Sequence, residues 1–447
     1  MENKKLKILI LFIGVFFTLN VSSQGYFSFP NTVKKQSFNF KLLSNLIVLP
    51  IEVNGKKLNF ILDSGVGATI LFNLNARDSL DLKNVKKIKL QGLGGEEAVD
   101  AIVSNGNKIK LKSINGYNQK LFVIFNDNFD LSSKLGLTIH GIIGFDLLKN
   151  FTVKINYSSK KITFYKANTY KLDDCRKCDI FDLEFYRKKP YIEAGVKLTS
   201  DKITPVKLLI DSGGSDAMWL FENSHPDIVP PKKYFKGFLG EGLSGSIYGK
   251  RARVKALVYG SHEIKNPTVS YPDSISIRHA RRFRSRNGSM GANILKRFLV
   301  VFDYPNKKIS LKKGAHFNKP FYYNVSGLEL VHNGKILVKE KDNKSTSFNL
   351  SGNGQTSNNS VIIDYRYKYN FKPSYRVLKV LENSPADYAG VMVDDVLIKV
   401  NGKFVHEMKL TEIIEKFYYK KNRKVSLVVE RNGQHYEFKF YLEDILQ

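Results

Sequence analysis

Cysteine is nearly missing from this chain, with two among 447 residues. A scaffold held by several disulfides is therefore excluded. The pair, Cys175 and Cys178, lies in Asp-Cys-Arg-Lys-Cys-Asp with no histidine near it in sequence. A zinc site would need two further ligands, and a thioredoxin-type redox pair would need a surrounding βαβ pattern that is absent. A local disulfide closing a small loop is the default for an exported chain, although the spacing alone is a weak signal. Histidine is also sparse: eight residues, none in an H-E-x-x-H arrangement. The G-x-S-x-G elbow of serine hydrolases is missing, because in Gly242-Leu243-Ser244-Gly245 the last glycine comes one position early. No metal or cofactor is assigned.

Carboxylates are outnumbered, 41 against 71 Lys and Arg, which leaves a formal charge of +30. Such a surplus attracts anionic partners when it is concentrated. Here it is spread along the chain. The densest run, Arg278 to Arg286, has five arginines around Phe283 but no RNP, zinc-finger or helix-turn-helix signal beside it. A nucleic-acid partner is not expected. Long apolar runs are lacking too, with one exception. Ile8 to Leu19 follows Lys4, Lys5 and Lys7 and precedes the small residues Val21-Ser22-Ser23. This is the three-part pattern of a secretory signal, 1–23, and is short for a spanning helix. It predicts an exported protein, periplasmic or secreted, with no stable membrane span after cleavage; an uncleaved anchor is the competing reading.

What is present is an internal duplication. At a shift of 147 residues, Gly141, Gly144, Leu148, Lys149 and Phe151 fall on Gly288, Gly291, Leu295, Lys296 and Phe298. Val153, Tyr157 and Lys160-Lys161-Ile162 continue the match on Val300, Tyr304 and Lys307-Lys308-Ile309. About ten identities over some 24 positions is too dense for shared propensity. At a shift of 148, Phe60-Ile-Leu-Asp-Ser-Gly65 meets Leu208-Leu-Ile-Asp-Ser-Gly213. Each copy reads as short apolar strands bounded by Gly, Asn and Pro, with one short helix after Gly144 and Gly291. Two all-β lobes are predicted, 46–170 and 190–315. An N-terminal extension, 24–45, precedes them and a linker carrying the CxxC, 171–189, joins them.

One Asp-Ser-Gly is a turn signal and little more. Two, at matching positions of a doubled lobe and each at the end of an apolar strand, are a stronger one. A pseudo-twofold axis between the lobes carries Asp63 and Asp211 toward each other. Carboxyls a few ångströms apart cannot both ionise, so the pair holds one proton. That pair suits peptide hydrolysis, in which one member activates a water while the other protonates the scissile carbonyl.

These residues resemble the aspartic proteases of the pepsin and retropepsin superfamily. The D-[ST]-G motif is matched at both sites, and the family's two apolar residues before Gly are matched by Ile142-Ile143-Gly144 and less closely by Ser289-Met290-Gly291. The resemblance covers about 46–313. It implies bilobal, double β-barrel lobes, Asp63 and Asp211 as the catalytic dyad, and Ser64 and Ser212 bonded across the interface with Gly65 and Gly213 beside them. It also makes Gly92, Gly94, Gly95, Gly240 and Gly242 flap candidates. Ser289 stands where an apolar residue is usual, no Tyr occupies the first flap tip, and Asp216 either perturbs the dyad or faces solvent. A catalytically inactive, protease-like scaffold is the alternative.

The last 130 residues differ. Their order of strands, with Ser384-Pro-Ala, Ala389-Gly390, Asp395 and Val400-Asn-Gly402, resembles bacterial PDZ domains and predicts an α+β module over 318–447. Asp394 replaces the usual Gly. The resemblance implies that Ser326, Gly327, Leu328, Glu329 and Leu330 form a carboxylate-binding loop for a peptide partner. Residues 342–359, rich in Ser, Asn and Gly, read as an insertion or mobile loop. The predicted protein is an exported aspartic endopeptidase, with a peptide or protein substrate and a PDZ-bound peptide as partners.

Overall fold

The computed structural model describes residues 25–74, 80–95, 98–125, 131–173, 175–349, 362–418 and 423–443, with side chains outside 341–366. The expected secretory signal, 1–23, lies outside these residues. Among the described residues no helix is long and apolar enough to cross a membrane.

Four sheets organise the described residues. The first lobe is built on the adjoining strands Leu46–Val53 and Lys56–Leu62. Asn54 and Gly55 turn between them with φ of 45° and 89°, the two left-handed positions that a type I′ hairpin needs. Leu46–Val53 is buried along almost its whole length, so it forms a central strand. Lys56–Leu62 runs parallel to Gly141–Ile143. In the second lobe Ile203–Asp211 runs parallel to Gly288–Gly291 in the same way.

A six-stranded sheet joins the lobes, and it carries the doubling most clearly. The hairpin Phe151–Asn156 with Lys161–Lys166 and the hairpin Phe298–Asp303 with Lys308–Lys313 are the same 147 residues apart at every boundary. Their inner strands pair antiparallel, Val153 opposite Phe302 and Ile155 opposite Val300. Exchanging the two copies turns the first of these pairs into the second, which defines a local twofold axis. Lys35–Asn39 borders one hairpin and Cys178–Asp182 the other. The stretches set apart as an extension, 24–45, and as a linker, 171–189, are thus woven into the sheet as equivalent edge strands. The first of these, Lys-Gln-Ser-Phe-Asn, carries too few apolar residues to stand out as a strand. Cys175 and Cys178 form a disulfide with Cα atoms 5.7 Å apart.

The last sheet runs Leu328–Asn349, Ile362–Val380, Val396–Val400, Lys424–Arg431, Gln434–Tyr441, with helices Pro385–Tyr388 and Leu410–Lys416. Ser384 caps the first helix, accepting from the Asp387 N–H at 3.3 Å, with Pro385 at its first position. The turns Asn401-Gly402 and Asn432-Gly433 take positive φ throughout. The insertion expected at 342–359 needs correcting over its first part. Pairing continues to Asn349 opposite Ile362, past an irregularity at Lys341/Thr346, so the polar stretch extends a long hairpin. Backbone pairing does not need apolar side chains, which is why composition misread it. Residues 350–361 lie outside the described set.

Asp394 adopts φ 68°, which explains the usual Gly there, and it pairs with Arg376 at 2.6 Å. The fully buried Asp395 receives Arg431 Nε at 2.6 Å and Nη2 at 2.8 Å and accepts the Met392 N–H at 2.8 Å. Asp395→Ala strips the partner from a guanidinium and leaves an N–H unpaired, so it is expected to destabilise this module by about 3 kcal/mol. Hydrogen exchange over Ile362–Val380 and Lys424–Arg431 measures the loss; unchanged protection would contradict it.

Candidate active site

Each strand that ends in an aspartate is apolar because it crosses a lobe core, with Phe60, Ile61 and Leu62 buried before Asp63 and Leu208, Leu209 and Ile210 before Asp211. The Asp63 N–H donates to Ile143 O at 2.9 Å, tying the turn to the parallel neighbour. Gly144 is required there, since a Cβ would run into the carbonyl oxygens of Asp63 and Val66. Gly291 does the same against Asp216 and Gly214. These close approaches are what the second motif supplies in both lobes.

Across the interface the two serines bond reciprocally. Ser64 Oγ donates to Ile210 O at 2.7 Å and accepts the Ser212 N–H at 2.9 Å. Ser212 Oγ donates to Leu62 O at 2.9 Å and accepts the Ser64 N–H at 2.9 Å. Both side chains are buried. Asp63 Oδ1 accepts the Gly65 N–H at 2.7 Å, and Asp211 Oδ1 accepts the Gly213 N–H at 3.1 Å. A Cβ on Gly65 would stand 3.1 Å from Oδ1 of each aspartate, so both carboxyls lie against that glycine. They lie close enough that the charge of Asp211 acts on Asp63.

Burial, and then the charge of Asp211, push the Asp63 carboxyl up to about 8, against the pull of the Gly65 N–H and of Lys189. Lys189 was not singled out from sequence; nor was Arg286. Burial first, and then Arg286, lower the Lys189 ammonium, while Asp63 and Asp211 support its charge. Arg286 is buried, its Nε donating to Gly288 O at 3.0 Å and its guanidinium 5.0 Å from the Phe221 ring. In sequence it is one more arginine in a basic run. The rest of that run is anchored elsewhere, with Arg281 on the Glu222 carbonyl at 2.9 Å and Phe283 stacked on Tyr186 at 4.3 Å.

Asp216 neither joins the dyad nor faces solvent. It accepts from Trp219 Nε1 and Ser270 Oγ, both at 2.9 Å, and pairs with Arg251 at 3.2 Å. Arg251 also donates to Phe238 O at 3.0 Å, so Asp216 braces the hairpin Phe235–Gly242 with Gly245–Arg253. The tip of this hairpin meets the glycine-rich turn of the first lobe: Ser244 N–H donates to Leu93 O at 2.9 Å and Gly92 N–H to Ser244 Oγ at 3.1 Å. Gly94 and Gly245 take φ of 104° and 131° at the crossing. Gly92, Gly94, Gly95 and Gly242 therefore lie at the junction, whereas Gly240 lies in the strand leading to it. Leu93 and Glu241 line one cavity, about 1150 Å³, with Asp63 and Asp211.

Ser326, Gly327, Leu328, Glu329 and Leu330 also reach this cavity, apart from the buried Ser326. Gly327 has φ 85° and packs on Ser384. The loop satisfies two of its own N–H groups: Ser326 N–H donates to Asn324 Oδ1 at 3.0 Å and Leu328 N–H to Ser326 Oγ at 3.1 Å.

Residues 49–147 match the family model described as aspartyl protease, and residues 376–431 match that of the PDZ domain. The chain therefore carries a domain of the aspartyl protease kind and a PDZ domain, on a mainly β architecture. The first match stops before the second lobe, whose likeness rests on the internal repeat. Among curated proteins, the chain is similar to a probable CtpA-like serine protease of Staphylococcus saprophyticus, 39% identical over 59 residues, 13% of this chain and 12% of that protein. Similar proteins of the same description in Staphylococcus aureus are 35% identical over 69 residues, 15% of this chain and 14% of theirs. The chain thus spans about an eighth of the length of these relatives. Among solved structures it is similar to an aspartic proteinase from Irpex lacteus, at 13% identity and a TM-score of 0.41, covering 64% of this chain and 98% of that one.

Ser64→Ala and Ser212→Ala each remove one donor and one acceptor from a buried site, and each is expected to lower stability by about 2 to 4 kcal/mol. The two losses should agree closely, and the double variant should lose less than their sum. Urea unfolding measures this; unequal or additive losses would show that the two hydroxyls do not act as a unit.

Proposed function

We propose that this chain is an exported aspartic endopeptidase in which Asp63 and Asp211 hydrolyse peptide bonds of a polypeptide bound between the lobes. The observation that carries the reading is the pair of carboxyls, brought together against Gly65 beneath the reciprocal Ser64–Ser212 bonds. With one proton between them, the member lacking it draws a proton from a water set against the scissile carbonyl. The member holding it donates to the carbonyl oxygen as the tetrahedral intermediate forms. Collapse of that intermediate returns a proton to the leaving amine and restores the pair. Gly65 and Gly213 donate N–H bonds that orient the carboxyls, and the paired tips above help exclude bulk water. The apolar run after Lys4, Lys5 and Lys7 supports export.

The relatives described as serine proteases raise a second catalytic type. Against it stand the missing G-x-S-x-G and the burial of both Ser64 and Ser212 in bonds to backbone carbonyls, which leaves neither hydroxyl placed as a nucleophile. The non-cleaving scaffold has against it the close approach of the two carboxyls.

Asp63→Asn and Asp211→Asn are each expected to lower kcat/KM on a diverse peptide mixture by about a thousandfold or more while circular dichroism stays unchanged. Full activity in either variant would refute the assignment. Activity of the native protein should fall as pH rises through about 8, where Asp63 loses its proton. Lys189→Met removes a charge that favours ionised Asp63, so it should move that alkaline limb to higher pH; a shift to lower pH would contradict the electrostatics. Folding itself binds this proton more tightly. Stability should therefore decline as pH climbs from 3.8 toward about 8, and Asp63→Asn should flatten that decline in thermal unfolding scans.

A further inference from the structure

The PDZ module is locked onto the second lobe's hairpin. Tyr323 Oη shares its one proton between Ala252 O at 2.5 Å and Val269 O at 3.0 Å, and its ring meets Phe235 edge-on at 5.4 Å. Arg253 Nη2 donates to Phe321 O at 3.0 Å. Lys134, on the first-lobe helix Leu131–Leu135, bonds Glu241 of the hairpin and Glu329 of the PDZ strand, each at 3.1 Å. Three parts of the molecule converge on that ammonium.

The strand Leu328–Asn349 pairs with Ile362–Val380 on one edge and, among the described residues, with no strand on the other. Beside it lies the helix Leu410–Lys416. Leu328, Leu330, Leu410, Ile414 and Tyr418 line a groove that opens into the cavity holding Asp63 and Asp211. At the junction Glu329 Oε2 is buried and lacks a hydrogen-bond partner among the described residues, although Oε1 is paired with Lys134. The proposed carboxylate loop is less open, because the Ser326 and Leu328 N–H groups are already taken by Asn324 and Ser326.

From this continuity we infer that groove and cleft are one extended channel, and that the groove takes an internal stretch of the substrate polypeptide as an added strand rather than its terminal carboxylate. The inference rests on the proposed role of Asp63 and Asp211. The substrate class is then an extended, unfolded polypeptide long enough to fill both halves at once. Main-chain pairing supplies sequence-tolerant affinity, and the linked sites raise the local concentration of the scissile segment at the dyad.

The test uses the full chain and a synthetic peptide that it cleaves, shortened stepwise from each end, with the C-terminus as free acid or amide. Shortening from one end is expected to raise KM about tenfold over several residues while kcat changes less than about twofold. Amidation should change KM less than about twofold. Fluorescence anisotropy with Asp63→Asn protein should show the same length dependence in binding. KM indifferent to length from both ends, or a large KM loss on amidation, would overturn the inference. Cleavage by the Asp63→Asn protein would instead defeat the dyad assignment, while length-dependent binding by that protein would still uphold the channel.

Discussion

Four hydrogen bonds between Ser64 and Ser212 and the backbones around them hold the molecule's two halves in register. Each hydroxyl donates to the opposite strand and accepts from the opposite turn, so neither lobe can move without breaking bonds inside a buried site. The aspartates, one residue before each serine, inherit that placement. The raised proton affinity of Asp63 follows from burial and from the charge of Asp211 beside it. The six-stranded sheet beneath repeats the same symmetry on a larger scale, as the exchanged pairs Val153–Phe302 and Ile155–Val300 demonstrate.

Above the dyad the symmetry is looser. A glycine-rich turn from one lobe and a hairpin tip from the other meet, and the second lobe's hairpin is braced through Asp216 and Arg251 and fastened to the PDZ module. This asymmetry gives the third module a direct mechanical connection to the roof of the cleft. Lys134 is the point at which first lobe, hairpin and PDZ strand share one charge.

Much of this was legible in the chain. The doubled Asp-Ser-Gly at the ends of apolar strands, the paired glycine motifs and the Asn401-Gly402 turn are local chemistry, and local chemistry survives in sequence. The edge strands at Lys35–Asn39 and Cys178–Asp182 were harder to read, because a strand bordering a sheet needs few apolar residues. The far end of the long hairpin escaped for a similar reason, since its polar composition says nothing about backbone pairing.

By itself the sequence determined that two like halves exist, that each offers one carboxyl at a tight turn, and that a PDZ-like module follows. Those features depend on residue type and spacing, which are one-dimensional. Only the tertiary structure decided that Lys189 and Arg286 enter the surroundings of the dyad, that Asp216 braces a hairpin, and that the PDZ groove opens into the cleft. Each of those joins residues far apart along the chain, and a charged residue has the same letter whether solvent or a buried carboxyl surrounds it.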